Sequence, residues 1–312
     1  MLKPRLLAAL FAVLSAAVAI AGCGGENRDN SLATATPYRE QGRSTGLTSR
    51  VGPAAYRRPT AQYRRHVRKT LGTMLVSVAA LRAAAANGDV AGAKKAWLAA
   101  DRQYESIGAA YGAFGDLDAA INGTPGGLPG GVRSEQWTGL HRIEYALWSQ
   151  HDAASAASAS AKLAANVSKL RRTVGAMEID PLEYSLRAHE VLEDSLHLQL
   201  SGVASPWSGS ALNALDGNER GTRVVLASLA PMLRQRSPQV YQQADLALNK
   251  LHRELGKLSH DGRMPAWDTL SQIDRERVNG LTAGAAEQLA FVPGAIDPRP
   301  PMPAKRAIGA TQ

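Results

Sequence analysis

Residues 61–88, AQYRRHVRKTLGTMLVSVAALRAAAANG, decide the class of fold. Val67, Leu71, Met74, Leu75, Val78 and Leu81 recur at helical spacing, which gathers them on one side of an α-helix. Asn87-Gly88 is a good carboxy-terminal stop for that helix. The same period continues along the chain. A second helix is expected over 90–112, with Trp97, Leu98, Tyr104, Ile107 and Tyr111 on its apolar side and Glu105 beside them. Further helices are expected around His141 and over 156–176, 181–200, 209–229, 238–259 and 267–290. Breaks fall at Pro181, Ser205-Pro206, Ser237-Pro238 and Met264-Pro265, because proline lacks a backbone donor and restricts the residue before it. No stretch shows the alternating β-branched pattern of a sheet. With Ala and Leu abundant and only three Phe, the expected fold class is all-α, a helical bundle over 60–291 made of two packed four-helix units.

The amino terminus predicts where the protein works. Lys3 and Arg5 precede an apolar run over 6–20, and the run ends in Ile20-Ala21-Gly22-Cys23. This reads as a bacterial lipoprotein signal over 1–22, with Cys23 the lipidated residue and an extracytoplasmic, membrane-anchored location. Cys23 is the chain's one cysteine. Once acylated it leaves no thiolate, so any metal must be held by nitrogen and oxygen. Residues 23–59 read as a flexible tether, rich in Gly, Ser, Thr, Pro and Arg. From 39 to 69, nine Arg and Lys face the single acid Glu40. Such charge suits anionic headgroups or wall polymers, and equally a solvated linker leading into a charged helix face. The Pro-rich stretch 292–312 reads as a disordered tail. Loss of 1–22 removes only Lys3 and Arg5, taking the formal charge from +9 to +7. Charge alone is compatible with nucleic acid, but export and the lack of a recognition motif argue against it.

Residues 137–148, WTGLHRIEYALW, carry the chemistry. His141 and Glu144 lie three apart, about 60° from each other around a helix, so both side chains can reach one point. They sit among Trp137, Leu140, Ile143, Leu147 and Trp148, where charge must find a partner or a cation. A simple i,i+3 hydrogen bond accounts for the pair equally well. Before it, residues 115–134 form a Gly- and Pro-dense loop, too long and irregular for a simple bundle connection.

Together with Tyr104-Glu105-Ser106-Ile107 and Phe114-Gly115-Asp116-Leu117-Asp118, the HxxE string resembles the imelysin-like family, in particular its EfeM/EfeO-type iron-uptake lipoproteins. The likeness covers residues 60–290. It implies that His141 and Glu144 hold the metal and that Glu105 is the first acid of the family's Tyr-Glu-x-Ile-Glu pattern. The second acid of that pattern is replaced by Gly108, and an aspartate frequent after the Phe-Gly-Asp-Leu-Asp string is replaced by Asn122. Asp116 and Asp118 persist, either as ligands, Asp118 being the one retained as a candidate, or as features of a helix end or an Asx turn. The family also supplies an acid on the helix expected over 181–200, at Glu193 or Asp194. His189, Glu193 and His197 there form an i, i+4, i+8 stripe, which suits a second metal or a solvated face. Tyr104, Asn122 and Arg142 are expected to support the ligands, and Arg102 or Arg142 to pair with the acids.

One imidazole with two or three carboxylates suits Fe, Mn or Zn better than Cu(I), while divalent Cu would win on raw affinity unless geometry excludes it. The resemblance favours iron. It implies a lipid-anchored iron-binding protein that hands its ion to a membrane permease, with a peroxidase-like partner in the same uptake system. Too few residues precede position 60 for the cupredoxin domain many such proteins carry, so the short form is expected. Two other readings compete. A metallopeptidase of the HExxH type needs a second His and a spare base, which Leu140-His141-Arg142-Ile143-Glu144 lacks, so no enzyme is expected. A polysaccharide or cell-wall binding module would use the basic face and exposed aromatics on an anionic glycan.

Overall fold

A computed structural model describes residues 51–297. The expected signal peptide, Cys23, the tether up to residue 50 and the tail from 298 lie outside the described residues. The helices are α1 (Arg57–Ala86), α2 (Val90–Glu105), α3 (Asp116–Asn122), α4 (Leu140–Glu144), α5 (Ala153–Thr173), α6 (Pro181–Asp194), α7 (Ala211–Arg236), α8 (Pro238–Leu258), α9 (Gln272–Leu289) and α10 (Phe291–Ala295). Among the described residues the one β-type pairing is a single bridge, His260 with Arg263.

The apolar period of α1 is what closes the first unit. Val67, Leu71, Met74, Val78, Leu81 and Ala85 are buried, a four-three alternation that makes a seam for neighbours crossing at a shallow angle. α1 packs on α2 and α5, and α4 joins those two into a ring of four. A second ring follows, with α6 on α7, α7 on α8, α8 on α9 and α9 back on α6. The two rings meet where α1 and α2 pack against α7, and a single apolar cluster runs through both. The expected all-α bundle of two four-helix units is therefore observed. No described helix is long and apolar enough to cross a membrane.

Four local differences have physical causes. α2 stops at Glu105 rather than 112, and the chain tightens into a 3-10 turn, Gly108–Ala113. Tyr111 lies on that turn and its hydroxyl donates to the Tyr104 carbonyl at 2.9 Å, a second donor beside the Ile107 backbone N–H at 3.0 Å. Inside the expected 115–134 loop, Asp116 and Asp118 occupy the first turn of the short α3, where acids favour the helix dipole. α7 continues through Pro231 to Arg236 because Leu229 and Leu233 on either side are buried, and that burial offsets one lost backbone bond. At the ends, Val51, Tyr56, Val292, Pro293 and Ile296 are buried, and the Tyr56 hydroxyl donates to the Ile296 carbonyl. Residues 51–59 and 292–296 thus belong to the helical body, since a few anchoring side chains outweigh the average composition of a segment.

Two features set up the site. α4 and α6 each run on into a π-helical turn, Tyr145–Ser149 and Ser195–Gln199, whose extra residue rotates whatever follows out of α-helical register. Glu193 and His197 of the expected stripe are exposed and His189 is half-buried, while Gln199 in the π turn is buried. The second feature is the crossing of α2 on α7. A Cβ at Gly217 would lie 2.6 Å from the Arg102 carbonyl oxygen and 2.8 Å from Glu105 Cβ, so the turn that carries Glu105 rides directly on the α7 backbone.

Candidate metal centre

α4 begins at a backbone position that only glycine fits. Gly139 has φ +92°, and a Cβ there would lie 2.3 Å from the Ile121 carbonyl oxygen at the end of α3. Around it the indole of Trp97 donates to the Leu140 carbonyl at 2.8 Å, the Thr138 hydroxyl to Ala120 at 2.9 Å and the indole of Trp137 to Gly123 at 2.9 Å. The short helix is therefore pinned to α2 and α3. It buries both His141 and Glu144.

The two side chains play different parts. His141 Nδ1 meets Glu144 Oε2 at 2.9 Å. Glu144 Oε1 accepts three further donors: the backbone N–H groups of Trp207 at 3.2 Å and Ser208 at 2.8 Å, and the Ser208 hydroxyl at 2.7 Å. With Nδ1 engaged as a donor to the carboxylate, Nε2 is the imidazole nitrogen available to a ligand.

A cavity of about 410 Å³ lies beside this pair, with Glu105, Asp118, Asn122, His141, Asp194 and Gln199 on its wall. Of the residues singled out from sequence, the structure thus brings His141, Glu105, Asp118, Asp194 and Asn122 to one space. Glu144 is not on the wall, and Glu193 is exposed and also absent from it. Tyr104 is buried beneath, its hydroxyl donating to Asp118 Oδ1 at 2.6 Å. The arginines differ from expectation. Arg102 binds Asn213 Oδ1 at 2.8 Å and Asp216 at 3.3 Å, whereas Arg142 lies over the rings of Trp137 and Tyr145 and donates to Gln150 Oε1 at 3.1 Å. The cation facing the site acids is Arg187, 3.6 Å from Asp194. Among the described residues, no three His, Asp or Glu side chains stand close enough together to hold a metal ion by themselves.

Glu105 and Asp118 are held toward their neutral forms. Burial pushes the Glu105 carboxyl up to about 7, with the charges of Asp118 and Asp194 adding to it and hydrogen bonds from Asn218 and Asn122 opposing. Burial also raises Asp118, against the Tyr104 hydroxyl and the charge of Arg187. Asp101, one turn before Glu105 and buried, is pushed up to about 8 by burial and then by the Glu105 charge, with an Asn213 hydrogen bond opposing. Asp101, Gln199 and Asn218 were missed by sequence reasoning. The signal for Asp101 was present, since it precedes Glu105 by four and shares its helix face. Asn218 stands in the polar run Asn213, Asp216, Asn218, Glu219, which is unusual for a buried helix. Gln199 had no signal, because the π turn that buries it is invisible in the apolar period.

These shifts predict an unusual pH dependence. From about 4 up to about 7 for Glu105 and about 8 for Asp101, the folded chain holds protons that the unfolded chain has already released. Their contribution to stability therefore falls as pH rises through that window, opposite to a salt-bridged carboxylate. Urea denaturation at pH 5 and pH 8 should show a smaller alkaline loss for Glu105→Gln than for the parent. Equal losses would place the effect on other groups.

The helical fold and this cavity define the class. The profile of peptidase family M75, Imelysin, matches residues 59–291, and the chain belongs to that family. It is 26% identical over 239 residues to the iron uptake system component EfeM of Pseudomonas syringae pv. syringae (strain B728a), covering 76% of this chain and 84% of that protein. It is 23% identical over 234 residues to the iron uptake system component EfeO of Escherichia coli (strain K12), covering 75% of this chain and 62% of that one. A further EfeO, from Yersinia pseudotuberculosis serotype I (strain IP32953), is 23% identical over 238 residues, or 76% and 64% of the two chains. The chain thus spans less than two thirds of the length of either EfeO.

Proposed function

We propose that this protein is an iron-binding component of an iron uptake system, held outside the cell membrane by a lipid on Cys23, that captures the ion in the cavity between α2, α3, α4 and α6. It then passes the ion to a membrane permease of the same system, with a peroxidase-like protein as a further partner. The observation that carries the reading is the oriented imidazole. His141 is buried, its Nδ1 held by a fully bonded Glu144, on the wall of a cavity that also contains Glu105, Asp118 and Asp194. The relatives' names supply the metal.

In this reading His141 Nε2 and the carboxylates of Glu105, Asp118 and Asp194 are the ligands, while Glu144 orients the imidazole. Tyr104 and Asn122 hold the acids, and Glu193 faces solvent. Iron is preferred to Zn, Mn or Cu. Binding displaces protons from Glu105 and from Asp118, so affinity falls as pH drops, which is a route to release. A metallopeptidase fits less well, since a general base needs a lone pair facing water and Glu144 already accepts four donors.

Anaerobic titration of residues 24–312 with ferrous iron tests the reading. His141→Ala is expected to bind roughly 10- to 100-fold more weakly than the parent, and unchanged affinity would sink the site. Cys23→Ser is expected to lose palmitate labelling and membrane association. Retention of both would remove the anchor.

A further inference from the structure

The Glu105 carboxylate is surrounded by carboxamides. Asn122 Nδ2 stands 3.4 Å from Oε1, Gln199 Nε2 stands 3.5 Å from Oε2, and Asn218 also hydrogen-bonds the group. The two measured contacts are at the long limit for N–H···O bonds. Two of these amides have a second problem. Asn122 Oδ1 and Gln199 Oε1 are both buried and accept no hydrogen bond, although Gln199 as a whole is only 7% exposed. Buried carbonyl oxygens are normally partnered, because they lose water on burial and gain nothing in return. Both residues line the cavity with His141 and Asp118.

A half-turn of either amide about its last side-chain bond exchanges its nitrogen and oxygen. The oxygen would then face a Glu105 oxygen at close range, which repels unless a cation lies between them. We propose that Gln199 and Asn122 are neutral oxygen ligands, which turn their carbonyl oxygens onto a cation held by Glu105. This inference rests on the cavity being a metal site. With Glu105 and two amide oxygens at its centre and further acids and an imidazole on the same wall, the donor set is rich in oxygen. Such a set selects a hard cation of high coordination number, ferric iron among the uptake metals, over tetrahedral zinc. The arrangement accounts for Asn at 122, whose amide oxygen is buried and unpartnered.

The probes are terbium(III), a hard trivalent cation whose emission is sensitised by Tyr104 and Tyr111 beside the cavity, and zinc(II), followed by calorimetry on the full chain. Gln199→Leu should weaken terbium binding by about tenfold or more, as loss of a ligand does, and zinc binding by much less. Its melting temperature should hold or rise, because the change removes an unpartnered buried oxygen, whereas a purely structural role would lower it. Gln199→Glu, with the same reach and an anionic oxygen, should bind terbium more tightly than the parent. If the parent binds terbium and both Gln199 variants match it, Gln199 is no ligand while the cavity reading stands. A parallel tenfold loss for zinc overturns the selectivity. A parent that binds neither cation overturns the metal site itself.

Discussion

Glu144→Ala should cost about 3–5 kcal/mol of folding stability and abolish tight metal binding, although Glu144 does not face the cavity. The carboxylate is completely buried and accepts from His141, from two backbone N–H groups and from the Ser208 hydroxyl. Truncation leaves the His141 donor unpartnered in the interior and the half-buried Trp207 and Ser208 donors without their acceptor. It also frees His141 to rotate and releases the loop around Trp207 from α4. Glu144→Gln separates the two roles. The amide oxygen can still accept from Trp207 and Ser208, which forces the amide nitrogen toward His141 Nδ1. That nitrogen must then accept, so the proton moves to Nε2 and the imidazole loses the lone pair a metal needs. The Gln variant should therefore retain most of the stability in urea denaturation but bind iron roughly 10- to 100-fold more weakly. Parent-like affinity in Glu144→Gln would show that Glu144 does not set the tautomer.

Gly217→Ala is expected to be damaging although position 217 lies inside a helix. Alanine favours a helix over glycine by about 1 kcal/mol. Here its methyl would meet the Arg102 carbonyl oxygen at 2.6 Å and Glu105 Cβ at 2.8 Å, neither of which can yield without moving α2. Overpacking of this kind costs about 1–3 kcal/mol after the helix gain is overtaken. The element displaced carries Glu105, so iron affinity should fall together with the melting temperature. Gly256→Ala in α8 is the control, since nothing lies within 4 Å of its added methyl. That change should be neutral or stabilising by about 0.5–1 kcal/mol. If Gly217→Ala behaves like Gly256→Ala, the crossing of α2 and α7 is not a tight constraint on the site.

The helices were readable because burying one face of a helix imposes a period on consecutive residues. Val67, Leu71, Met74, Val78 and Leu81 declare that period, and the same residues are buried. Elements with little apolar surface of their own were not readable. α3 emerges within a Gly- and Pro-rich stretch, where Ile121 is its one buried residue. The early end of α2 is a tightening onto the Tyr104 carbonyl, which accepts from the Ile107 N–H and from the distant Tyr111 hydroxyl.

The sequence alone determined the helical class and the HxxE pair, since each is a matter of residue type or of spacing within one helix, while the family resemblance pointed to Glu105, to Asp118 and to an acid at either 193 or 194. Only the tertiary structure decided what surrounds each of them. The donors that occupy Glu144 come from 63 and 64 residues along the chain, and the amides around Glu105 come from α3, the π turn after α6 and α7. Whether a carboxylate is a ligand or an orienting group depends on which donors the fold brings to its oxygens. Helical spacing records which side chains share a face, and it holds no information about what the neighbouring helices place opposite them.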